Sequence, residues 1–316
     1  MSARVPILLS FYGLSNGKRN LFFGKIAFAP AGDLAFKSYN RLKTFRTIVA
    51  LYRTRAVHHA PFEMTFDHGR LRAVTDDSGS FWCEVDMDER QTKLLSITLT
   101  NTNEQVRLTE DLYPNRIHRV KGKTIVVSDL DDTLIQSFIH NKFRQVATLL
   151  FTSVEKRKAV VTTSNLIKRF AAEGAEPFYL SNSEQNLYPM LFRFLAINDF
   201  PPGPLFLKQY VRLRHMFMQK ILRRKNAHKV TMLEKLLEVF PDKKFILVGD
   251  NTQHDLTVYL DIALRYPQHI RHIIIREAVK KEGDEWIASE AEKKLKPHLI
   301  GFHFAPEFPD DLPWVL

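Results

Sequence analysis

Three carboxylates stand directly after a short apolar run. Residues 124–127 read Thr-Ile-Val-Val, and Asp129, Asp131 and Asp132 occupy three of the next five positions. Such a β-branched run is typical of a strand buried on both faces, where a charge is costly unless it has a partner or a function. Because side chains alternate along a strand, Asp129 and Asp131 project toward one site just beyond its end. The alternative is an ordinary turn, since Asp is common where strands end.

Further polar groups follow later strands in the same way. Ser181 comes after the apolar residues 177–180, Asp250 and Asp255 follow a later strand, and Lys229 opens the helix that leads into that strand. Taken singly, Ser181 could be a helix cap, Lys229 a solvated cation and Asp250 a turn residue. Taken together, they supply a nucleophile, a hydroxyl donor, a cation and further acids at one edge.

The elements that must position these groups alternate between strands and helices from residue 121 onward. This alternation predicts an α/β fold, a parallel sheet with helices on both faces, in which sites form beyond the carboxyl ends of the strands. The five predicted strands cover residues 125–128, 177–180, 204–207, 244–249 and 272–275, with helices at 187–195 and 230–240.

The sequence before this region has a different pattern of apolar residues. Short apolar runs separated by turns predict a small antiparallel β sandwich over residues 1–115, followed by a catalytic domain over residues 116–316. Catalytic residue types do not cluster in the first part, and Cys83 is interpreted as a core residue, so we interpret this domain as an accessory module. Its predicted strands cover residues 21–28, 47–52, 69–74, 80–85 and 94–99.

Composition narrows the classes of partner and compartment. The 316 residues carry a net charge of +11 and one cysteine, which suits an anionic partner and a reducing compartment. Residues 1–115 hold 15 Lys and Arg against 12 Asp and Glu, whereas the remainder holds 31 against 23. Without a signal-peptide pattern or a membrane-spanning apolar window, we expect a cytoplasmic protein.

The motifs resemble those of the haloacid dehalogenase (HAD) superfamily of phosphotransferases. The resemblance rests on Asp129-x-Asp131-x-Thr133, Ser181, Lys229 and Gly249-Asp250 followed by Asp255. The finer wording of the motifs is similar to the actin-patch-associated phosphatidate phosphatase catalytic family, over roughly residues 120–280. It implies a Rossmann-like HAD core. One departure is Asn251-Thr252, where that family has Ser-Gly.

The resemblance also implies roles for these residues. Asp129 would be the nucleophile that forms an aspartyl-phosphate, and Asp131 the general acid and base. Mg²⁺ would be bound by the Asp129 side chain, the Asp131 carbonyl and the Asp250 side chain. Lys229 would balance the charge and Ser181 would donate a hydrogen bond to the phosphate. The remaining two residues are supporting ones: Asp255 would anchor its neighbours, although it could also bind the metal through water, and Thr133 would fix the turn.

His228 and His254 are weaker alternatives for the acid–base role. Each lies beside a residue that matches a motif. Zinc is not expected, because the usual Cys and His spacing is absent.

The identity of the substrate depends on a basic segment between residues 205 and 229. Apolar residues are interleaved with its cations and no acid occurs, so the segment could contact an anionic membrane, or it could be a solvated helix packed on the core. A nucleic-acid partner is not expected, since no such motif accompanies the charge. The residues assigned to substrate or membrane binding are Arg212, Arg214, Arg223, Arg224 and Lys225.

Three functions therefore remain. The first, which the family resemblance implies, is a Mg²⁺-dependent phosphatase acting on phosphatidate, an anionic phospholipid, with peripheral membrane contact. The second is a phosphatase of soluble phosphomonoesters or phosphoproteins. The third is a lipid- or protein-binding module with vestigial motifs.

Overall fold

The computed structural model describes most of the chain. It covers residues 4–30, 41–86, 93–109, 112–130, 133–134, 160–209, 227–252 and 254–308, with backbone alone for residues 41–45. Among these residues, no helix has both the length and the apolar character needed to cross a bilayer.

The first part of the chain folds into two β sheets and a helix. The elements in chain order are β1 (Arg4–Ser15), β2 (Asn20–Pro30), α1 (Arg41–Tyr52), β3 (Arg55–Ala56), β4 (Pro61–Phe66), β5 (Gly69–Val74), β6 (Ser80–Val85), β7 (Leu94–Leu99), β8 (Glu104–Val106) and β9 (Ile117–Arg119). One sheet has the order β3-β2-β1-β9, with β6 also paired to β2, and the other has the order β5-β4-β7-β8. We call this part the β module.

The two sheets of the β module pack face to face through aromatic side chains. The ring centroids of Phe22 and Phe66 lie 4.8 Å apart, and those of Phe62 and Phe81 lie 5.0 Å apart. All four side chains are buried. These contacts join the two sheets through one buried apolar core, to which β4 contributes alternate residues.

One predicted strand is wrong. Residues 47–52 belong to helix α1, not to a strand. Ile48 and Leu51, three positions apart, are its buried residues, which is helical rather than strand spacing. A short apolar run of β-branched residues does not by itself distinguish a buried strand from a buried helical segment. Strands β1, β3, β4, β8 and β9 are additional to those predicted.

The second part of the chain contains a parallel sheet of six strands. Its elements are β10 (Thr124–Asp129), α2 (Val161–Ala172), β11 (Glu176–Glu184), α3 (Tyr188–Ile197), β12 (Leu205–Lys208), α4 (Ala227–Val239), β13 (Lys244–Asp250), α5 (Asp255–Arg265), β14 (Ile270–Arg276), α6 (Asp284–Leu295) and β15 (Gly301–Ala305). The strand order is β12-β11-β10-β13-β14-β15, and each neighbouring pair is parallel. Strand β15 is additional to the five predicted.

Helices cover both faces of this sheet, which confirms the predicted α/β architecture. Along β10, Val126 packs in one apolar cluster together with residues of α2 and α3, whereas Ile125 and Val127 pack in a second cluster with residues of α4, α5 and α6. Alternate side chains of a central strand thus serve opposite layers. Strand β10, which ends in Asp129, lies near the middle of the sheet.

The β module shares its core with the parallel sheet. Phe22 and Phe62 of the module belong to the same buried cluster as Val126. On the other side, Phe23 stacks on Phe206 of β12 with ring centroids 4.7 Å apart. The boundary near residue 115 stays a prediction, and a continuous apolar interface joins the segments on either side of it.

Candidate active site

Asp129 is held at the end of β10 by a buried lysine. The Lys229 ammonium on α4 donates one hydrogen bond to Asp129 Oδ1 at 2.7 Å and another to Asp255 Oδ1 at the start of α5. The side chains of Asp129, Lys229 and Asp255 are between 0 and 2 % exposed. Because a buried charge is very costly without a partner, this triad is a built site rather than a chance surface contact.

The environment shifts the pKa values of Lys229 and Asp255. Burial lowers the pKa of Lys229, but attraction to Asp129 and Asp255 outweighs burial and leaves that pKa above its ordinary value. Burial raises the pKa of Asp255, with Lys229 acting against it. Lys229 therefore stays charged throughout the neutral range and provides a permanent cation beside Asp129.

Asp250 is held by two threonines, one bonded to each carboxylate oxygen. Thr133 Oγ1 donates to Asp250 Oδ2 at 2.7 Å, and the Thr252 backbone N–H donates to Asp250 Oδ1 at 2.6 Å. The preceding Gly249 allows close packing, since a Cβ there would lie 2.7 Å from Asp255 Oδ2. The Gly-Asp step thus brings β13 against α5 and sets the Asp250 carboxylate beside the triad.

The three carboxylates form a site that fits a divalent cation. One oxygen from each of Asp129, Asp250 and Asp255 lies within 4.8 Å of the others, and all three residues are buried. Three acids face the single ammonium of Lys229, so negative charge remains to be balanced. Carboxylate oxygens are the hard ligands that Mg²⁺ prefers. The residues present therefore fit Mg²⁺, although Asp255 Oδ1 already accepts the Lys229 hydrogen bond.

Ser181 lies in the neighbouring strand β11. Leu180 pairs with Asp129 in the parallel register, which places Ser181 one residue beyond it at the same sheet edge. Ser181 is fully buried, and its Oγ accepts a hydrogen bond from the Ser183 backbone N–H at 2.9 Å. This bond lies in the last part of β11, where the pairing with β12 shifts register between Ser181 and Glu184.

The two histidines named as alternatives have different surroundings. His228 is mostly buried beside the backbone of Phe206 and Ser181, and burial, with Lys208 and Lys229 nearby, lowers its pKa to about 4. The imidazole is therefore uncharged at neutral pH. His254 is exposed just before α5.

Several predicted residues lie outside the described part of the chain. Asp131, the expected acid and base, is one of them, as is Asp132. The basic residues assigned to substrate or membrane binding also fall there, and their roles stay predictions: Arg212, Arg214, Arg223, Arg224 and Lys225.

Asn251 and Asp284 are supporting residues that the motifs did not reveal. Asn251 Nδ2 donates to Asp284 Oδ2 at 2.9 Å, and Asn251 Oδ1 accepts the Ala278 N–H at 2.9 Å. Lys281 donates its backbone N–H to Asp284 and its ammonium to the Asn251 carbonyl. The departure Asn251-Thr252 was the available signal, because both residues hold the loop that carries Asp250.

The chain resembles a known enzyme family over this sheet. Residues 124–277 match the family described as "Phosphatidate phosphatase APP1, catalytic domain", and the predicted family resemblance is confirmed over that segment. The match begins with β10 and ends just after β14, so it includes Asp129, Ser181, Lys229, Asp250 and Asp255.

Two curated relatives each match about half of the chain. Phosphatidate phosphatase APP1 of Saccharomyces cerevisiae is 34 % identical over 48 % of this chain and 25 % of its own length. An uncharacterized protein of Schizosaccharomyces pombe is 25 % identical over 49 % of this chain and 25 % of its own length. The matched segment therefore spans about a quarter of each relative.

A solved structure of a Pnkp1/Rnl/Hen1 complex has a chain that is similar at 17 % identity. The similarity covers 48 % of this chain and 45 % of that one, with a TM-score of 0.34, which is too low to support a structural argument.

Proposed function

We propose that this protein is a Mg²⁺-dependent phosphatase that hydrolyses a phosphomonoester through an aspartyl-phosphate, with phosphatidate as its substrate. The observation that carries the proposal is the buried Lys229 shared by Asp129 and Asp255 beside Asp250, within the segment that matches the phosphatidate phosphatase family. We further propose that the six-stranded sheet is the Rossmann-like core of the HAD superfamily.

The chemistry begins with the Asp129 carboxylate, which would attack phosphorus as the bond to the leaving alkoxide breaks. A carboxylate nucleophile divides a difficult hydrolysis into two displacements. Asp131 would give a proton to the leaving oxygen and then take one from water as that water attacks the aspartyl-phosphate. Diacylglycerol leaves first and inorganic phosphate second, and Asp129 is regenerated.

The surrounding residues would stabilise the charge that builds up during both displacements. Lys229 already bonds to Asp129 and is placed to stabilise the transferring phosphoryl group, and Ser181 would donate to one of its oxygens. Asp129 and Asp250, with the Asp131 carbonyl, would hold Mg²⁺, which would neutralise phosphate charge when bound. Thr133 and Thr252 would keep Asp250 in position for that task.

The test is phosphate release from phosphatidate vesicles and from p-nitrophenyl phosphate, each with and without Mg²⁺. Asp129→Asn removes the nucleophile, and we expect turnover to fall by roughly 10³-fold or more. The control is Asp261→Asn, since Asp261 lies on α5 with its side chain 54 % exposed in an ion pair with Arg265. Full Mg²⁺-dependent turnover by Asp129→Asn would refute the nucleophile assignment.

The choice between substrates is made by the same assay. Turnover of the soluble ester alone would favour the phosphomonoesterase alternative, and absence of turnover with intact lipid binding would favour a binding module. Neutralising Arg223, Arg224 and Lys225 together is expected to reduce vesicle binding. Unchanged vesicle binding would favour the alternative that this segment is a solvated helix without membrane contact.

A further inference from the structure

Two residues shortly after Ser181, Gln185 and Asn186, are held by side chains of the β module. Lys25 lies in β2, is 2 % exposed, and donates a hydrogen bond through Nζ to Asn186 Oδ1 at 3.0 Å. Asn186 is itself 1 % exposed and lies five positions after Ser181, in a short 3₁₀ helix at Gln185–Leu187. Lysine is almost never fully buried unless it is paired, so this contact is a specific one.

A second contact from the β module reaches the same segment. Ser80, at the start of β6, donates from Oγ to Gln185 Oε1 at 2.7 Å. Its backbone N–H donates to Asp76 Oδ1 at 2.9 Å, which keeps the turn before β6 in place. Lys25 and Ser80 thus bind two consecutive residues, Gln185 and Asn186.

The turn before β6 also holds the neighbouring strand. Asp76 Oδ2 accepts a hydrogen bond at 2.8 Å from Gln209, which follows β12 directly. The charges complement the buried lysine, because Asp76 and Glu184 both attract Lys25. The β module therefore contacts the residues that follow β11 and the residue that follows β12.

Positions in this segment matter because Ser181 lies at its beginning. The Ser181 hydroxyl is oriented by Ser183, and the chain then enters the 3₁₀ helix and α3. A shift of about 1 Å in a group that positions substrate can cost roughly 10²-fold in rate. Contacts at Gln185 and Asn186 are close enough along the chain to set where Ser181 lies.

We propose that Lys25 is a positioning residue of the active site: through Asn186, and together with Ser80, it holds residues 181–187 so that the Ser181 hydroxyl faces the phosphate. The proposal rests on the proposed phosphatase function for the role of Ser181. It makes the β module part of the scaffold of the active site, which the interpretation of that module as an accessory domain did not include.

The experiment compares Lys25→Met with Lys235→Met in the full chain. Lys235 also joins the two parts of the molecule, because its ammonium lies on α4 and is 4.7 Å from the Trp82 ring centroid of the β module. The readouts are hydrogen exchange of peptides covering 181–187, the inhibition constant of inorganic phosphate, and the Mg²⁺ concentration for half-maximal turnover of p-nitrophenyl phosphate.

For Lys25→Met we expect about 10-fold faster exchange in residues 181–187 and kcat/KM lower by roughly 10- to 100-fold. The phosphate inhibition constant should rise, whereas the half-saturating Mg²⁺ concentration should stay unchanged, because Asp129 and Asp250 lie outside the segment. Lys235→Met should leave all three readouts as in the wild type. If Lys25→Met does not fold, Ser80→Ala removes one contact with little loss of volume and should shift the same readouts by a smaller factor.

Wild-type exchange in residues 181–187 of both Lys25→Met and Ser80→Ala would overturn the proposal. An equal rise in exchange across all peptides, or a matching loss of Mg²⁺ affinity, would also overturn it, because the effect would then be general destabilisation. A wild-type protein without phosphatase turnover would instead refute the proposed function. In that case faster exchange would still show that Lys25 holds the segment, and an unchanged affinity for inorganic phosphate would refute its link to the phosphate.

Discussion

The two sides of the candidate active site are held in different ways. On the carboxylate side, Asp129, Asp250 and Asp255 are fixed by Lys229 and by threonines of the same strand-end segments. On the hydroxyl side, the segment after Ser181 is fixed by residues of the β module, more than 100 positions earlier in the sequence.

The carboxylate side depends on charge, whereas the hydroxyl side depends on the position of a chain segment. Opposite charges define the carboxylate side, and few side chains can substitute for them. On the hydroxyl side, hydrogen bonds between mostly neutral groups set a position, so partial loss of them should reduce precision without removing the chemistry. The predictions below test that distinction.

The largest effect is expected from Lys229→Met. It leaves Asp129 and Asp255 buried together without their cation, which should destabilise the folded state by about 3–5 kcal/mol in the absence of Mg²⁺. Urea denaturation measures this free energy, with Lys235→Met on the same helix as the control at about 1 kcal/mol or less. A stability equal to that of the control would mean that local charge does not hold the carboxylate side.

Lys25 should make the stability of the folded protein depend on pH. Burial lowers its pKa from 10.5 to about 8, although Asp76 and Glu184 act in the opposite direction. Between pH 8 and 10.5 the unfolded chain then binds more protons than the folded one. The free energy of unfolding therefore increases as the pH rises through this range. The gain is on the order of 3 kcal/mol at most, and Lys25→Met should abolish it.

Urea denaturation of wild type and Lys25→Met at pH 7.5 and 10 would measure this difference, as an order-of-magnitude test of the linkage. A difference in unfolding free energy that does not change between these conditions would mean that Lys25 keeps its ordinary pKa.

Thr133→Val tests the carboxylate side without changing a charge. The substitution removes the donor to Asp250 Oδ2, and we expect the half-saturating Mg²⁺ concentration to rise by about 10-fold. Thr163→Val is the matched control, since the buried Thr163 hydroxyl on α2 has no hydrogen-bond partner among the described residues. Equal Mg²⁺ dependence of the two variants would remove Thr133 from the support of Asp250.

The smallest effect is expected at Glu176, at the opposite end of β11. Burial raises the pKa of Glu176, but hydrogen bonds from His118, Gly122 and Lys121 outweigh it and lower that pKa below its ordinary 4.5. The charged Glu176 therefore stabilises the folded state above about pH 4.5, and this stabilisation is lost as the pH falls through the lowered pKa of the folded state. Glu176→Gln should cost about 1 kcal/mol at neutral pH.

Thermal unfolding of wild type and Glu176→Gln at pH 7 and at a pH below about 4 would check this, because an ordinary Glu is mostly protonated at the lower pH. The two proteins should differ at neutral pH and converge in acid, with phosphatase kinetics unchanged at neutral pH. A difference in unfolding temperature that persists in acid would show that the packing of Glu176, not its charge, stabilises the folded protein.

The parallel sheet and the acids at its edge could be predicted from the sequence because the signals are local. Apolar runs locate β10, β11 and β13, and the polar residues that follow each run lie at one edge once the strands are parallel. Residues 47–52 could not be assigned correctly, since six apolar or β-branched residues fit a helix or a strand equally well.

Lys25 was missed for a different reason. A lysine within the apolar run 21–28 is a weak signal of a buried cation, and its partner Asn186 is 161 positions away. Local periodicity has no information about such a pair. The supporting Asn251–Asp284 contact was missed in the same way, although the unusual Asn251-Thr252 marked one end of it.

The 161-residue separation of Lys25 and Asn186 has a kinetic consequence. Contacts between distant positions form late, because closing a long loop costs entropy before the contact repays it. During synthesis the β module emerges first, and at roughly 5–20 residues per second Lys25 waits about 8–30 s before Asn186 is made. In that interval an ammonium destined for the interior is still in water. The hydroxyl side of the site therefore cannot form until well after the β module has been made, and the carboxylate side requires Lys229 and Asp250, which are made later still.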